Sequence, residues 1–138
     1  MGFARGIILC LLCSLMSTAG CNIPGPVERY SYRVLADVSS LSVPDTSRYD
    51  NIRVSMSGVL GWTSGSSFEG VAYQRTDTLF EIVVYAREVY DSGFKYEAIE
   101  VRFDTTLALS VPKPANGKEY FFHLLGGNQI LQDSSYVY

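Results

Sequence analysis

The sequence predicts an all-β fold, and three observations predict it. After residue 30, apolar residues recur with a period of two, the spacing of strands that bury one face. Val, Ile, Thr and Tyr, which suit a pleated and half-buried surface, are plentiful, with ten Tyr among 138 residues. Turn-forming residues separate the alternating runs at intervals of about 8–12 residues, and no amphipathic helical period intervenes.

The elements follow in order. Tyr30, Tyr32 and Val34 alternate with Ser31 and Arg33 as a first strand, and Ser39 to Tyr49, with Pro44 and Asp45, reads as a loop. Ile52, Val54 and Met56 alternate with Arg53, Ser55 and Ser57 in the cleanest single-strand pattern. Gly61 to Ser67 is turn-rich and leads into a strand from Phe68 to Tyr73, with Val71 and Tyr73 on one face. From Thr78 to Asp104 the chain predicts a long antiparallel hairpin. Phe80, Ile82, Val84 and Ala86 line one side of its first arm, and Glu81, Tyr85 and Arg87 the other. Ile99, Val101 and Phe103 alternate with Glu100 and Arg102 in its second arm. Asp91-Ser92-Gly93 supplies the turn, with Gly93 free to take positive φ.

Leu107, Leu109 and Val111 continue the alternation until Pro112-Lys113-Pro114 ends it. Asn116-Gly117 marks a tight turn before Tyr120, Phe122 and Leu124, and Gly126-Gly127-Asn128 precedes the last strand, Ile130 to Tyr138. Seven or eight short strands predict a single antiparallel, immunoglobulin-like β-sandwich over residues 30–138, with a small closed barrel as the alternative. Ile52, Val54, Met56, Phe80, Ile82, Val84, Val101, Phe103, Leu109, Tyr120 and Phe122 are its expected core.

The N-terminus carries an address. Residues 1–20 contain one cation, Arg5, then the apolar run Gly6 to Met16, then Ser17, Thr18, Ala19 and Gly20. That order predicts a secretory signal-peptide helix, too short in its apolar run for the roughly 20 residues of a membrane span. Thr18-Ala19-Gly20-Cys21 resembles the lipobox of bacterial lipoproteins, with Thr18 where leucine is usual. The resemblance implies cleavage behind Gly20 and attachment of diacylglyceryl and palmitate chains at Cys21. Cys10 and Cys13 would leave with the signal, so Cys21 could form no internal disulfide. Residues 21–29, with Pro24, Gly25 and Pro26, form a short tether that would lift the domain some 15–25 Å at about 3.3 Å per residue.

Chemistry is sparse. Without its first twenty residues the chain has ten basic and fourteen acidic groups, a net charge of −4, and no basic run. This excludes the electrostatic footprint of a nucleic-acid binder. His123 is the single histidine, and a hydrolase would use it as a base beside Ser or Asp. No Gly-x-Ser-x-Gly or His-Glu-x-x-His stretch accompanies it. Acidic residues form loose pairs such as Asp45 with Asp50, without the spacing of a calcium loop, so neither a metal nor a cofactor is expected. Trp62, Tyr73, Tyr85, Tyr90 and Tyr96 gather in and around the predicted hairpin end, and an apolar ring with a polar tip suits a binding surface. With so short a tether, that surface is expected at the end or face of the domain remote from Cys21.

Ile52-Arg53-Val54-Ser55-Met56-Ser57-Gly58, Leu107-Ala108-Leu109-Ser110-Val111-Pro112 and Asn116-Gly117-Lys118-Glu119-Tyr120 together resemble the β-sandwich modules of bacterial surface lipoproteins, over about residues 50 to 127. That resemblance implies a fold and an envelope address, and no catalytic residues. The expected protein is therefore a non-enzymatic lipoprotein, anchored to the cell membrane or outer membrane through Cys21. It would bind an envelope protein or glycan, or serve as an accessory subunit. The rivals are the His123 hydrolase and an inhibitor or chaperone-like sandwich that uses an open sheet edge.

Overall fold

A computed structural model describes residues 25–47, 51–112 and 117–138. The signal-peptide helix, Cys21, Pro114 and Asn116 lie outside the described residues. The chain forms β1 (Arg29–Leu35), β2 (Asp37–Ser42), β3 (Thr46–Ser47), β4 (Asn51–Gly61), β5 (Ser66–Thr76), β6 (Leu79–Asp91), β7 (Val101–Ser110), β8 (Lys118–Leu125) and β9 (Ile130–Val137). These make two sheets, so the architecture is a sandwich and not a closed barrel. The described strands number nine instead of seven or eight.

The larger sheet is built around β6. One edge of β6 pairs with β5, while β1 and β8 share the other edge in tandem, β1 along residues 85–91 and β8 along residues 79–83. β9 and then β3 extend it beyond β8. Most pairs are antiparallel, but β6 with β8 and β3 with β9 are parallel. The smaller sheet is β2-β4-β7.

The predicted hairpin does not form. Asp91-Ser92-Gly93 does turn the chain, with the Gly93 amide donating to Asp91 Oδ1 at 2.9 Å and the Phe94 amide donating to the Asp91 carbonyl at 3.0 Å. Gly93 is not among the glycines at positive φ. Both edges of β6 are already occupied, so the chain cannot fold back on it. Residues 92–100 instead cross to the smaller sheet, where β7 pairs with β4 from Val101 to Ser110. The alternation in the two arms is real, yet they belong to different layers. The predicted Ser39–Tyr49 loop is also corrected, because it contains the end of β2 and all of β3. In β2, serines dominate an edge strand, and a bulge between Val38 and Ser40 breaks its period.

Of the eleven expected core residues, ten are buried and Val101 is half-buried. Phe80 and Phe122, both fully buried, stack with centroids 5.3 Å apart. Ala36, Val38, Val43, Leu60, Ala86, Val111, Leu124 and Val137 complete this single core.

Candidate functional site

Two surfaces stand out, and each begins with the parity of β6. Its even-numbered residues from Phe80 to Ala86 face the core, so its odd-numbered residues face away from it. On that outer face the register sets cross-strand rows. Leu35 pairs with Tyr85, and the next row runs Ala72, Val83, Leu125, Ile130. A polar row follows, Gln74, Glu81, His123, Gln132, and then Leu79 beside Phe121. Leu35 is 42% and Ile130 58% exposed, with Val83 and Leu125 half-buried between them. The centre of this solvent-facing sheet is therefore an apolar band, where a purely solvated face would alternate to polar side chains.

A charged group borders the band. Arg33 and Arg87 are cross-strand partners, and both donate to Glu69 Oε1, at 2.7 and 3.1 Å. A bulge between Phe68 and Gly70 interrupts the β5 register at Glu69. Hydrogen bonds from Arg33 and Arg87 hold the Glu69 carboxyl well down from its ordinary 4.5, at about 2. The Arg33 guanidinium also lies 4.8 Å over the Tyr85 ring.

The second surface is the end of the sandwich where the described chain begins. The inner face of β1 and β6 runs past the packed core there. Val34 and Ala86 pair within or against the core, but the next partners outward are Tyr32 with Glu88 and then Tyr30 with Tyr90. Tyr30 and Tyr90 stack with centroids 4.8 Å apart and remain 52% and 43% exposed. The Tyr32 hydroxyl donates to Glu88 Oε2 at 2.7 Å, which raises the tyrosine's pKa. The β4–β5 turn carries Trp62, and its Ser64 exchanges two hydrogen bonds with Glu97 in the crossover. Tyr96 packs on Gly65, close enough that a Cβ there would come within 2.8 Å of its ring. Phe94 meets Tyr96 edge-on at 5.0 Å.

The five aromatic residues singled out in the sequence thus divide. Trp62, Tyr90 and Tyr96 share this end, joined by Tyr30, Tyr32 and Phe94. Tyr85 lies on the outer face of the larger sheet. Tyr73 pairs with Ile82 further along β5 and approaches Phe80 at 6.1 Å. The end holding Trp62, Tyr90 and Tyr96 is also the end where the described chain enters the domain, at residues 25–28. The cause is Glu28, just before β1, which is bound to Ser92 at the start of the same crossover.

His123 sits on the outer sheet face between Glu81 and Gln132, its cross-strand partners. Among the described residues no group of three or more His, Cys, Asp and Glu could hold a metal ion. Sequence reading missed the apolar band, although Ile82-Val83-Val84 and Leu124-Leu125 signal it, since there both strand parities are apolar. No family model matches the chain, and comparison with curated proteins and with solved structures returns no match.

Proposed function

We propose that this protein is a lipid-anchored component of a bacterial envelope, held through Cys21 and acting as a non-catalytic binding or accessory module. The observation that supports the binding role is the apolar band Leu35, Tyr85, Val83, Leu125, Ile130 on the outer face of the larger sheet. Leaving such a band in water has a cost that a partner's apolar surface removes, and charged Arg33 and Arg87 at its border would orient that partner. Flat aliphatic side chains suit a protein partner better than a glycan, which stacks on exposed rings and needs hydrogen-bonding groups around them.

The anchor and the band are tested together. Cys21→Ser should move the protein from the membrane to the soluble fraction of the cell, and unchanged partitioning would overturn the anchor. A photo-crosslinking residue in place of Leu125 should capture one discrete envelope protein, while the same residue in place of Ser55, on the smaller sheet, should not. Equal capture from both faces would remove the band from the account.

A further inference from the structure

The aromatic end does something that a partner-binding band does not explain. Trp62 and Phe94, at 61% and 62% exposure, are among the largest apolar side chains that the described protein leaves in water. They project from two different connections, the β4–β5 turn and the β6–β7 crossover, which are tied together by the paired Ser64–Glu97 hydrogen bonds. Tyr30 and Tyr90 add a stacked pair at the same end. The segment that enters the domain is fastened here as well. The Glu28 amide donates to Ser92 Oγ at 2.9 Å, the Ser92 amide donates to the Glu28 carbonyl at 2.9 Å, and Val27, itself 62% exposed, lies against Gly93.

We propose that this end of the sandwich rests in the headgroup region of the lipid bilayer, with Trp62 and Phe94 inserted at the interface. The proposal rests on the reading of Cys21 as the lipid anchor. Three arguments select a bilayer as the occupant. The first is reach. Gly25 stands four positions after Cys21, at most about 14 Å of extended chain. Because Glu28 is bound to Ser92, this end is held close to the headgroups, whereas the β5–β6 turn lies the length of β6 away, about 43 Å at 3.3 Å per residue. The second is chemistry. Trp and Tyr, apolar bodies with one polar tip, are the residues that favour the membrane–water interface, and here Tyr96 packs edge-on against Phe94, which has no polar tip at all.

The third argument is charge. Around the aromatics stand Glu28, Glu88, Asp91 and Glu97 against Arg29 and Lys95, while the nearby Arg87 is paired with Glu69, so among the described residues this end has no basic cluster to attract anionic lipid. The docking is thus apolar and interfacial, and it takes zwitterionic headgroups at least as well as anionic ones. Strands standing on this end would run outward from the bilayer. The apolar band of the larger sheet would then face sideways, open to a neighbour in the envelope.

Trp62 is the single tryptophan of the chain, so its fluorescence reports this contact without a label. The lipidated full-length product should be reconstituted in phosphatidylcholine vesicles and compared with the Cys21→Ser protein in buffer. Trp62 emission should shift to shorter wavelength in the vesicles. Lipids brominated near the headgroup end of the acyl chain should quench it strongly, and aqueous iodide weakly. Replacing phosphatidylcholine by anionic phosphatidylglycerol should not strengthen the shift. Phe94→Ser with Tyr90→Ser should reduce lipid quenching, with the thermal midpoint monitored to confirm folding. The wild-type quenching decides the matter if that variant fails to fold.

Vesicle-bound protein whose Trp62 keeps a water-like emission and full iodide access would overturn the proposal while leaving the anchor intact. Protein recovered without lipid would overturn the anchor instead. In that case, titrating the soluble protein with vesicles still decides, because a blue shift supports docking and its absence sinks it.

Discussion

The two outer faces of this sandwich are built from strands of similar length, yet they present opposite chemistry. On the smaller sheet, Asn51, Arg53, Ser55 and Ser57 of β4 pair across to Ser110, Ala108, Thr106 and Asp104 of β7. Their hydroxyls satisfy one another, Ser55 with Thr106 at 3.1 Å and Ser40 with Ser57 at 2.6 Å. On the larger sheet the corresponding face carries Leu35, Val83, Leu125 and Ile130. Both sheets shield the same core, so stability alone does not call for the difference. A solvated face needs only to stay wet. A face that keeps aliphatic side chains in water is better explained by what it meets.

The sharpest way to break that contrast uses adjacent residues of β8. Phe122 is fully buried and stacked on Phe80, while Phe121 is 44% exposed on the outer face. Phe122→Ala should cost about 3–5 kcal/mol from lost burial and the cavity left behind. Phe121→Ala should cost less than about 1 kcal/mol, since its ring is already half in water. Urea midpoints measure both. Similar losses would mean that the outer face of the larger sheet is packed against something within the chain, and the comparison of faces would collapse.

A smaller effect sharpens the contrast toward function. Leu125→Ser and Val83→Ser should lower stability by about 1 kcal/mol while abolishing recovery of the envelope partner from membranes. Thr106→Val, the converse change on the smaller sheet, should leave recovery unaltered. If Thr106→Val reduced recovery as much as Leu125→Ser, the two faces would be equivalent and the apolar band incidental.

The same contrast explains what the sequence made legible. The smaller sheet was read correctly at β4 because Ile52, Val54 and Met56 alternate with polar residues without interruption. Alternation on β6 likewise placed Phe80, Ile82 and Val84 in the core. Partners were harder to read. Asp91-Ser92-Gly93 has the residues of a hairpin turn, and only the tertiary fact that β1 and β5 occupy both edges of β6 sends the chain onward to β4. β2 was hidden by Ser39, Ser40 and Ser42, since an edge strand needs few apolar side chains. The aromatic end was half visible. Tyr90 and Tyr96 lie near one another in the sequence, but Trp62 comes to them through the β5–β6 register and Tyr30 and Tyr32 through the β1–β6 register, which no local pattern encodes. Tyr85 left the group because it points to the opposite face of β6 from Tyr90, and Tyr73 because it sits far along β5.

The smallest expected effect concerns pH, and it separates the charged border of the apolar band from the neutral hydroxyl pairs of the other face. Glu69 is held near pKa 2, against an ordinary 4.5, chiefly by its hydrogen bonds from Arg33 and Arg87. A carboxyl whose pKa is lower in the folded state gives stability that is complete above about pH 4.5. That contribution fades as the pH falls toward 2, where the folded protein must protonate it too. Exposure of the arginine side chains, 59% and 53%, keeps the contribution small and sensitive to salt. Glu69→Gln should therefore lower the thermal midpoint slightly at pH 6, and the gap between the two proteins should close as both are taken to pH 2. Added salt should narrow the gap at pH 6. Ser55→Ala, which removes an uncharged partner of Thr106, should give a difference that does not change with pH over this range. A Glu69→Gln gap that persisted unchanged to pH 2 would show that Glu69 acts through packing and neutral hydrogen bonding, and that the border of the band has no electrostatic role in holding β1, β5 and β6 together.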